Sequence, residues 1–516
     1  MVATGRIVVI GTLALAAALA IRTAGIPRAK PPAPPAAKAE PPPKPAPPRR
    51  PASFGINLNA LHPWTNERAF ANLTMSGSWH STGSGWPAFD PARIGPDGTV
   101  LSLKPGEQAA LPLSIPAGAH RGEVRIRCTW EGRGELAPFA AKAPSTGANS
   151  LEFTNPKDTP VSVVLTRTDP TDPIRRIDCR EPSTDRAARF DPAFLASLKP
   201  YKAVRFQGWQ TVNTNTGGDW AKRTLPTAQY VGTDGVSVED MVALCNEAGV
   251  DPWFSMDWKA DATYQASFAR YVHEHLDPAR TVYLEIGNEV WNWGFNNSHL
   301  AVDLGKARKL SPEGDGDASR MRAYAVHATE AFAIWTKEYG ADRKRLVRIL
   351  AGQAGWPDLL KLALDYQDTA AQVDAIAMAP YFGYDFFNDA NRATADTAAL
   401  FRDLGPKVDE AIGWIRKDKA LADRYGLRLI AYEAGQHLDY RGPDKTILAR
   451  LARDPRMADL YARYFAGWKR EAGDLMMLFT NVDPVGPNTN WGMVEYYGQP
   501  LAETPKLRAL LAAEGG

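Results

Sequence analysis

The stretch at 283–292 reads Tyr-Leu-Glu-Ile-Gly-Asn-Glu-Val-Trp-Asn, an apolar run that predicts a β-strand and then turns polar and aromatic. This strand would end in an amide beside a carboxylate, Asn288 and Glu289. The stretch at 429–435 has the same format, because an apolar run leads into Glu433 and then into a turn. The chain therefore carries two strand-end carboxylates, and the elements around them show whether one fold can bring them together.

Strands and helices alternate on both sides of this stretch. Predicted strands lie at 54–59, 203–209, 251–256, 282–289, 347–352, 375–381, 428–433 and 475–480, and predicted helices at 238–248, 262–275, 321–339, 358–367, 396–417 and 457–472. Such alternation predicts parallel βαβ units, and eight strands can close into a (β/α)8 barrel of the α/β class, here 53–75 and 185–516. A doubly wound open sheet is the main alternative, but no glycine-rich phosphate turn follows the first strand.

Residues 76–184 break the pattern and predict an all-β sandwich inserted after the first barrel strand. Short strands are expected at 99–103, 109–115, 122–130, 134–138, 150–154 and 161–168, separated by Gly, Pro, Asn and Asp. An insertion at this point lies on the carboxyl-end face of a barrel, where barrel enzymes have their sites. The sandwich could wall a substrate groove, bind sugar or act only as a packing lid. Cys128 and Cys179 lie within it and could form a disulfide in an oxidising compartment, whereas Cys245 is expected to be a buried thiol.

The N-terminal segment predicts export. Residues 1–26 contain an apolar run flanked by Arg6 and Arg22, typical of a signal peptide or an uncleaved signal anchor. Residues 27–52 are rich in proline and predict an extended linker. We therefore expect an exported bacterial protein, periplasmic or extracellular, which is either released when the leader is cleaved or tethered to the inner membrane by an uncleaved leader. The net charge of +2 gives no indication of a nucleic-acid partner.

The two strand-end glutamates indicate chemistry at an acetal carbon. A retaining glycosidase needs two carboxyl groups, one as acid/base and one as nucleophile. The chain also has 15 Trp, several of them in predicted loops, and indole rings stack on the apolar faces of sugars. The sequence therefore predicts hydrolysis of a polysaccharide or oligosaccharide.

The motif at 284–289, Leu-Glu-Ile-Gly-Asn-Glu, resembles strand 4 of the clan A glycoside hydrolases, nearest to the family 39 and family 51 types. In that clan the Asn-Glu pair ends strand 4 and the second Glu ends strand 7, the places that Glu289 and Glu433 take in the predicted strand order. The segment at 204–209 is similar to a branch of exported bacterial barrel proteins with a sandwich at the same place. The resemblance implies a retaining enzyme for β-glycosidic bonds, with Glu289 as acid/base and Glu433 as nucleophile.

The resemblance also implies roles for three polar residues. Arg205, on the second strand, would hold Glu433 ionised; the alternative is that it only neutralises Glu285, which faces the barrel interior. Tyr381 on the sixth strand would donate a hydrogen bond to Glu433. Asn288 would bind the 2-hydroxyl of the sugar.

Four ring residues are further candidates for substrate binding. Trp291 and Trp293 flank the acid/base, His437 follows the nucleophile, and Trp491 follows the eighth strand, where the clan often has a platform beneath the reacting sugar. Glu313, Asp315 and Asp317 hint at calcium, but their spacing fits a solvated loop better. Neither a metal nor an organic cofactor is implied.

Two other functions use the same sequence features. A non-catalytic carbohydrate-binding or polymer-assembly protein could keep the barrel as a scaffold, but it would not require both glutamates together with Asn288 and Arg205. A transglycosylase would use the same residues as a hydrolase and differ only in the acceptor.

Overall fold

The computed structural model describes residues 45, 47–115, 122–157, 159–214, 216–226, 235–312, 314–486 and 489–515. The predicted leader and most of the predicted proline-rich linker lie outside the described residues. Within the described part of the chain, no helix is long and apolar enough to cross a membrane.

The strands of the structure fall into one barrel and two further sheets. In chain order they are β1 Ser53–Asn57, β2 His80–Ser81, β3 Ala109–Pro112, β4 Val124–Glu131, β5 Gly134–Phe139, β6 Lys142–Gly147, β7 Ser150–Asn155, β8 Ser162–Thr168, β9 Arg175–Arg180, β10 Ala203–Arg205, β11 Asp251–Met256, β12 Val282–Ile286, β13 Leu346–Ala351, β14 Ala375–Met378, β15 Arg428–Ala431 and β16 Leu475–Leu478.

The helices lie mainly between the barrel strands. They are α1 Pro192–Leu198, α2 Val238–Ala248, α3 Ala262–His275, α4 Asn296–Ala307, α5 Gly316–Tyr339, α6 Pro357–Leu364, α7 Thr397–Tyr425, α8 Ile447–Arg453, α9 Arg456–Glu471 and α10 Pro505–Glu514. Side chains that accept backbone N–H bonds begin several of them, as Ser237 does for α2 and Asp396 for α7. The helix α7 is longer than predicted and ends where Gly426 takes a left-handed conformation (φ 66°).

Eight parallel strands close the barrel in the order β1-β10-β11-β12-β13-β14-β15-β16, and β16 pairs back with β1. The predicted (β/α)8 fold is confirmed, and the doubly wound alternative is excluded. Alternate residues of the strands fill the interior: Ala203, Trp253, Tyr283, Val347, Ile349, Ala351, Ala375, Ala377, Ile430, Tyr432, Leu475 and Met477. At Gly55 a Cβ would lie 2.3 Å from Met477 Sδ, so only glycine fits beside these large side chains.

The segment between β1 and β10 forms two antiparallel sheets, β2-β3-β8-β5 and β6-β7-β4-β9, around a separate apolar core. Cys128 on β4 and Cys179 on β9 are cross-strand partners and are joined by a disulfide, whereas Cys245 is a buried free cysteine. The predicted strand at 99–103 is wrong, because Val100 makes only an isolated bridge with Ile94. Three strands of this segment, β2, β6 and β9, were not predicted. The residues of β6 are all exposed and so lack an apolar alternation.

Candidate active site

The turn after β12 aims two polar side chains at the barrel mouth. The strand ends at Ile286, three residues earlier than predicted, because Gly287 adopts φ 70° and Glu289 adopts φ 45°. Two side chains of α4 fix the turn: Asn297 donates to the Asn288 carbonyl oxygen (2.8 Å) and Ser298 donates to the Val290 carbonyl oxygen (2.8 Å). A left-handed conformation at a glutamate is unfavourable, so these contacts hold the Glu289 carboxyl in a defined position.

Arg205 is the centre of the polar network below the mouth. Its side chain is fully buried and donates to Glu433 Oε1 at 2.9 Å, to Asn288 Oδ1 at 2.9 Å and to Asn57 Oδ1 at 3.1 Å. It also donates to Glu285 Oε2 from Nε at 3.2 Å and from Nη2 at 2.9 Å. The two roles considered for Arg205 therefore occur together, since one planar guanidinium contacts both carboxylates.

Glu285 lies beneath this arginine as a buried partner. Its Oε2 also accepts hydrogen bonds from Trp253 Nε1 (2.9 Å) and Ser255 Oγ (3.1 Å), both on β11. These contacts fix the guanidinium from below, so that its remaining donors face Glu433 and Asn288.

Glu433 accepts one charged and one neutral hydrogen bond. Besides the bond from Arg205, its Oε2 accepts a bond from the Tyr381 hydroxyl at 3.0 Å, as the sequence analysis predicted for that tyrosine. Burial raises the pKa of Glu433 above its ordinary value, whereas the Arg205 charge and the Tyr381 hydrogen bond lower it.

Glu289 accepts hydrogen bonds from neutral donors. Asn292 Nδ2 lies 2.7 Å from one carboxyl oxygen and the Tyr432 hydroxyl lies 3.1 Å from the other. Trp291 Nε1 in turn donates to the Tyr432 hydroxyl at 3.1 Å, which orients it. Burial, followed by the negative charge of Glu433, raises the pKa of Glu289 to about 7. At neutral pH this carboxyl can therefore give and take a proton.

The predicted ring residues fall into two groups. His437 packs against Tyr381 and against Trp491, with ring centroids 5.3 Å and 5.6 Å apart, respectively. Because Tyr381 donates to Glu433, His437 and Trp491 belong to the Glu433 side of the site. Burial lowers the pKa of His437, which keeps its imidazole neutral. Trp291 supports Tyr432, whereas Trp293 is 47% exposed and lies further out.

Asp315 and Asp317, considered for calcium, have other roles in the structure. Asp315 accepts a hydrogen bond from the Ala318 N–H and begins α5, and Asp317 pairs with Arg320 at 2.7 Å. Glu313 lies outside the described residues.

Four residues of the site were missed from the sequence. Tyr432 and Asn292 contact Glu289, Asn57 contacts Arg205, and Phe479 packs edge-on against Trp491 with centroids 5.5 Å apart. Each follows or ends a barrel strand, or lies one turn from a predicted catalytic residue. A systematic survey of polar and aromatic residues near strand ends would have named them as candidates, although not the contacts that they make.

No family model matches the chain, and no curated protein matches it either. Among solved structures it is similar to the GH51 arabinofuranosidase from Xanthomonas axonopodis pv. citri, at 14% identity over 64% of this chain and 67% of that chain, with a TM-score of 0.42. It is also similar to the family 51 α-L-arabinofuranosidase from Bifidobacterium longum, at 14% identity over 64% of this chain and 68% of that chain, with a TM-score of 0.42.

A third similarity is to the β-glucosidase from Thermotoga maritima, at 13% identity over 62% of this chain and 85% of that chain, with a TM-score of 0.37. These structural neighbours are glycoside hydrolases, the class that the motif at 284–289 resembles. At such low identity the likeness does not extend to substrate, and the roles of the site residues depend on their geometry.

Proposed function

We propose that this protein is a retaining glycoside hydrolase that cleaves β-glycosidic bonds in a polysaccharide or oligosaccharide. The observation that carries the proposal is that two neighbouring carboxyls have different kinds of hydrogen-bond donor. Glu433 is bound to a buried arginine and a tyrosine, whereas Glu289 has neutral donors and a pKa near 7. A pair of carboxyls whose surroundings separate their protonation states is what acid/base and nucleophilic roles require.

In the first step Glu433 attacks the anomeric carbon and forms a covalent glycosyl-enzyme, while Glu289 gives its proton to the departing glycosidic oxygen. In the second step Glu289 takes a proton from water, the water oxygen attacks the anomeric carbon, and the bond to Glu433 breaks. Asn288, fixed between Arg205 and Asn213, would bind the 2-hydroxyl of the reacting sugar. After the first step Glu289 is ionised, as the second step requires, and after the second step it is protonated again.

The predicted leader and linker extend the proposal to the site of action. An exported enzyme, free or tethered to the inner membrane, would act on glycans outside the cytoplasm. A non-catalytic binding protein would not need an acid whose pKa lies near 7, so the site favours catalysis.

The test is hydrolysis of para-nitrophenyl β-glucoside, β-xyloside and β-galactoside, together with soluble xylan, β-galactan and barley β-glucan. We expect the full chain to cleave at least one of them and to release the sugar with its anomeric configuration retained, as followed by proton NMR. Glu433→Gln should abolish the reaction, whereas Glu330→Gln, a change of an exposed glutamate on α5, should not. An inverted product, or no cleavage of the whole panel, would contradict the proposal, and longer products would indicate transglycosylation.

A further inference from the structure

Trp64 stands exposed in the loop after β1 with one face of its ring already covered. The residue is 63% exposed. Its indole stacks on the ring of His62, with centroids 4.6 Å apart and planes inclined by 6°. Burial lowers the pKa of His62, so the stack joins two uncharged rings. The opposite face of the indole is left to solvent in a fixed orientation.

Trp293 has the same arrangement in the loop after β12. It is 47% exposed, and the Arg320 guanidinium carbon lies 4.1 Å from the centre of its ring. Arg320 is buried and is itself held by Asp317 Oδ1 at 2.7 Å and Ser298 Oγ at 3.2 Å. The indole borders an open cleft of about 560 Å³ that is also lined by Gly314, Asp315, Gly316 and Asp317.

An indole supported in this way is suited to a sugar ring. The apolar C–H face of a pyranose packs on an aromatic plane, and a ring that is already fixed loses little conformational entropy on binding. Beside Trp293, carboxylate oxygens of Asp315 and Asp317 are hydrogen-bond acceptors, whose partners on a sugar would be hydroxyl groups. Exposed and immobilised aromatic surface of this kind contributes nothing to the apolar core of the barrel.

The two tryptophans lie in loops that follow different strands of the barrel. The strands β1 and β12 are the first and fourth of the closed barrel, with β10 and β11 between them. Both loops follow carboxyl ends of strands, so they lie on the face that carries Glu289 and Glu433. These carboxyls are bound to the interior side chains Tyr432 and Arg205, at the centre of the mouth.

We propose that the substrate is a polysaccharide chain that crosses the barrel mouth, with one sugar stacked on Trp64 and another on Trp293, so that the enzyme cuts within the chain. This inference rests on the proposed function and adds the length of the substrate and the internal position of the cut. An enzyme that removes terminal sugars would need only one of these two surfaces.

The test compares short and long substrates of the full-length protein. Barley β-glucan, xylan or β-galactan, whichever is cleaved fastest, supplies oligosaccharides of two to six sugars, and the matching para-nitrophenyl monosaccharide glycoside is the short probe. We expect kcat/KM to rise with chain length. Trp64→Ala and Trp293→Ala should each lower it on the hexasaccharide about tenfold more than on the short probe, as the loss of a stacked sugar predicts.

Three controls separate the outcomes. Trp64→Phe and Trp293→Phe keep a flat ring and should retain most of the long-chain activity. Trp86→Ala removes a tryptophan of the sandwich that is 37% exposed, and should change neither activity. Equal losses on short and long substrates, an equal loss in Trp86→Ala, or release of single terminal sugars from the polymer would overturn the inference while leaving hydrolysis itself intact. Failure of the wild-type protein to cleave any substrate would instead overturn the proposed function and the inference with it.

Discussion

The two sides of the active site differ in the kind of donor that each carboxyl receives. On the β15 side, Glu433 is bound to the positive charge of Arg205 and to Tyr381. On the β12 side, the donors to Glu289 within the described part of the chain are the neutral groups of Asn292 and Tyr432. The number of hydrogen bonds is similar, so the two carboxyls differ mainly in the placement of Arg205, whose charge opposes the effect of burial on the pKa of Glu433.

The fold explains why the cation serves one side. Arg205 ends β10, and Glu285 below it takes two of its donors, which fixes the direction of the others. Its charge is shared between Glu285 and Glu433, and little of it remains to offset a third negative charge on Glu289. Burial and the charge of Glu433 then keep Glu289 protonated up to a pH of about 7.

Removal of the nucleophile should have the largest effect. We expect Glu433→Gln to lower kcat by at least about 10⁴-fold, because the covalent intermediate can no longer form. Loss of its negative charge should also lower the pKa of Glu289 below about 7, since that charge is one cause of the raised value. Steady-state kinetics and a carboxyl titration of the variant measure the two effects. An unchanged pKa of Glu289 would show that the two carboxyls do not interact.

The substitution Arg205→Lys should have the second largest effect on activity. A lysine keeps the charge but cannot bind Glu285, Glu433 and Asn288 in one plane, so we expect activity to fall by about 10²-fold. Weaker support of the ionised Glu433 raises its pKa, so the acid limb of the kcat/KM profile should move to higher pH. Thermal unfolding of the variant controls for loss of the fold, because a broken buried ion pair costs about 3–5 kcal/mol. An acid limb that stays in place would contradict the role of this arginine.

Two tyrosine changes should shift different limbs of the pH profile. Tyr381→Phe removes a donor to Glu433 and Tyr432→Phe removes a donor to Glu289. Each loss disfavours the ionised form, so each pKa should rise by about 0.4–1 unit, the equivalent of one hydrogen bond. The acid limb should therefore move up in Tyr381→Phe and the basic limb should move up in Tyr432→Phe. Movement of the same limb in both variants would contradict the assignment of the two tyrosines to different carboxyls.

Opening the disulfide should have the smallest effect on the site. The double variant Cys128→Ala and Cys179→Ala removes a link between residues 51 positions apart and should destabilise the sandwich by about 2–4 kcal/mol. Both limbs of the pH profile should stay in place, because the donors to Glu289 and Glu433 that the structure describes, Asn292, Tyr432, Arg205 and Tyr381, belong to the barrel. Calorimetry and a pH profile of the double variant measure these outcomes. A shifted limb would show that the sandwich takes part in setting the two pKa values.

The sequence was sufficient for the barrel and for much of the site. Apolar runs and helix caps are local signals, so the eight strands could be found, and the Asn-Glu motif led to Arg205 and Tyr381 as partners of Glu433. The contacts of Glu289 could not be predicted, because they depend on the left-handed backbone at Gly287 and Glu289. Arg205 can bind Glu285 and Glu433 at once because of the register of β10 with its neighbouring strands. No local sequence pattern encodes that register, so this double contact could not be predicted.

The polar strand β6 and the absent strand at 99–103 show the same limit in the sandwich. Exposed strands have no apolar alternation, and an apolar alternation in a loop can end in a single bridge. Pairing across the sheet decides both cases, and pairing is a property of distant residues.

The roles proposed for the two carboxyls require that Glu433 loses its proton before Glu289, and a titration measures this order without a substrate. Carbon-13 NMR of the protein with labelled glutamate carboxyls, assigned through Glu289→Gln and Glu433→Gln, follows both groups with pH. We predict that Glu433 ionises first and that the pKa of Glu289 is about 7. If Glu289 ionised first, the acid/base and nucleophile would be assigned to the wrong residues.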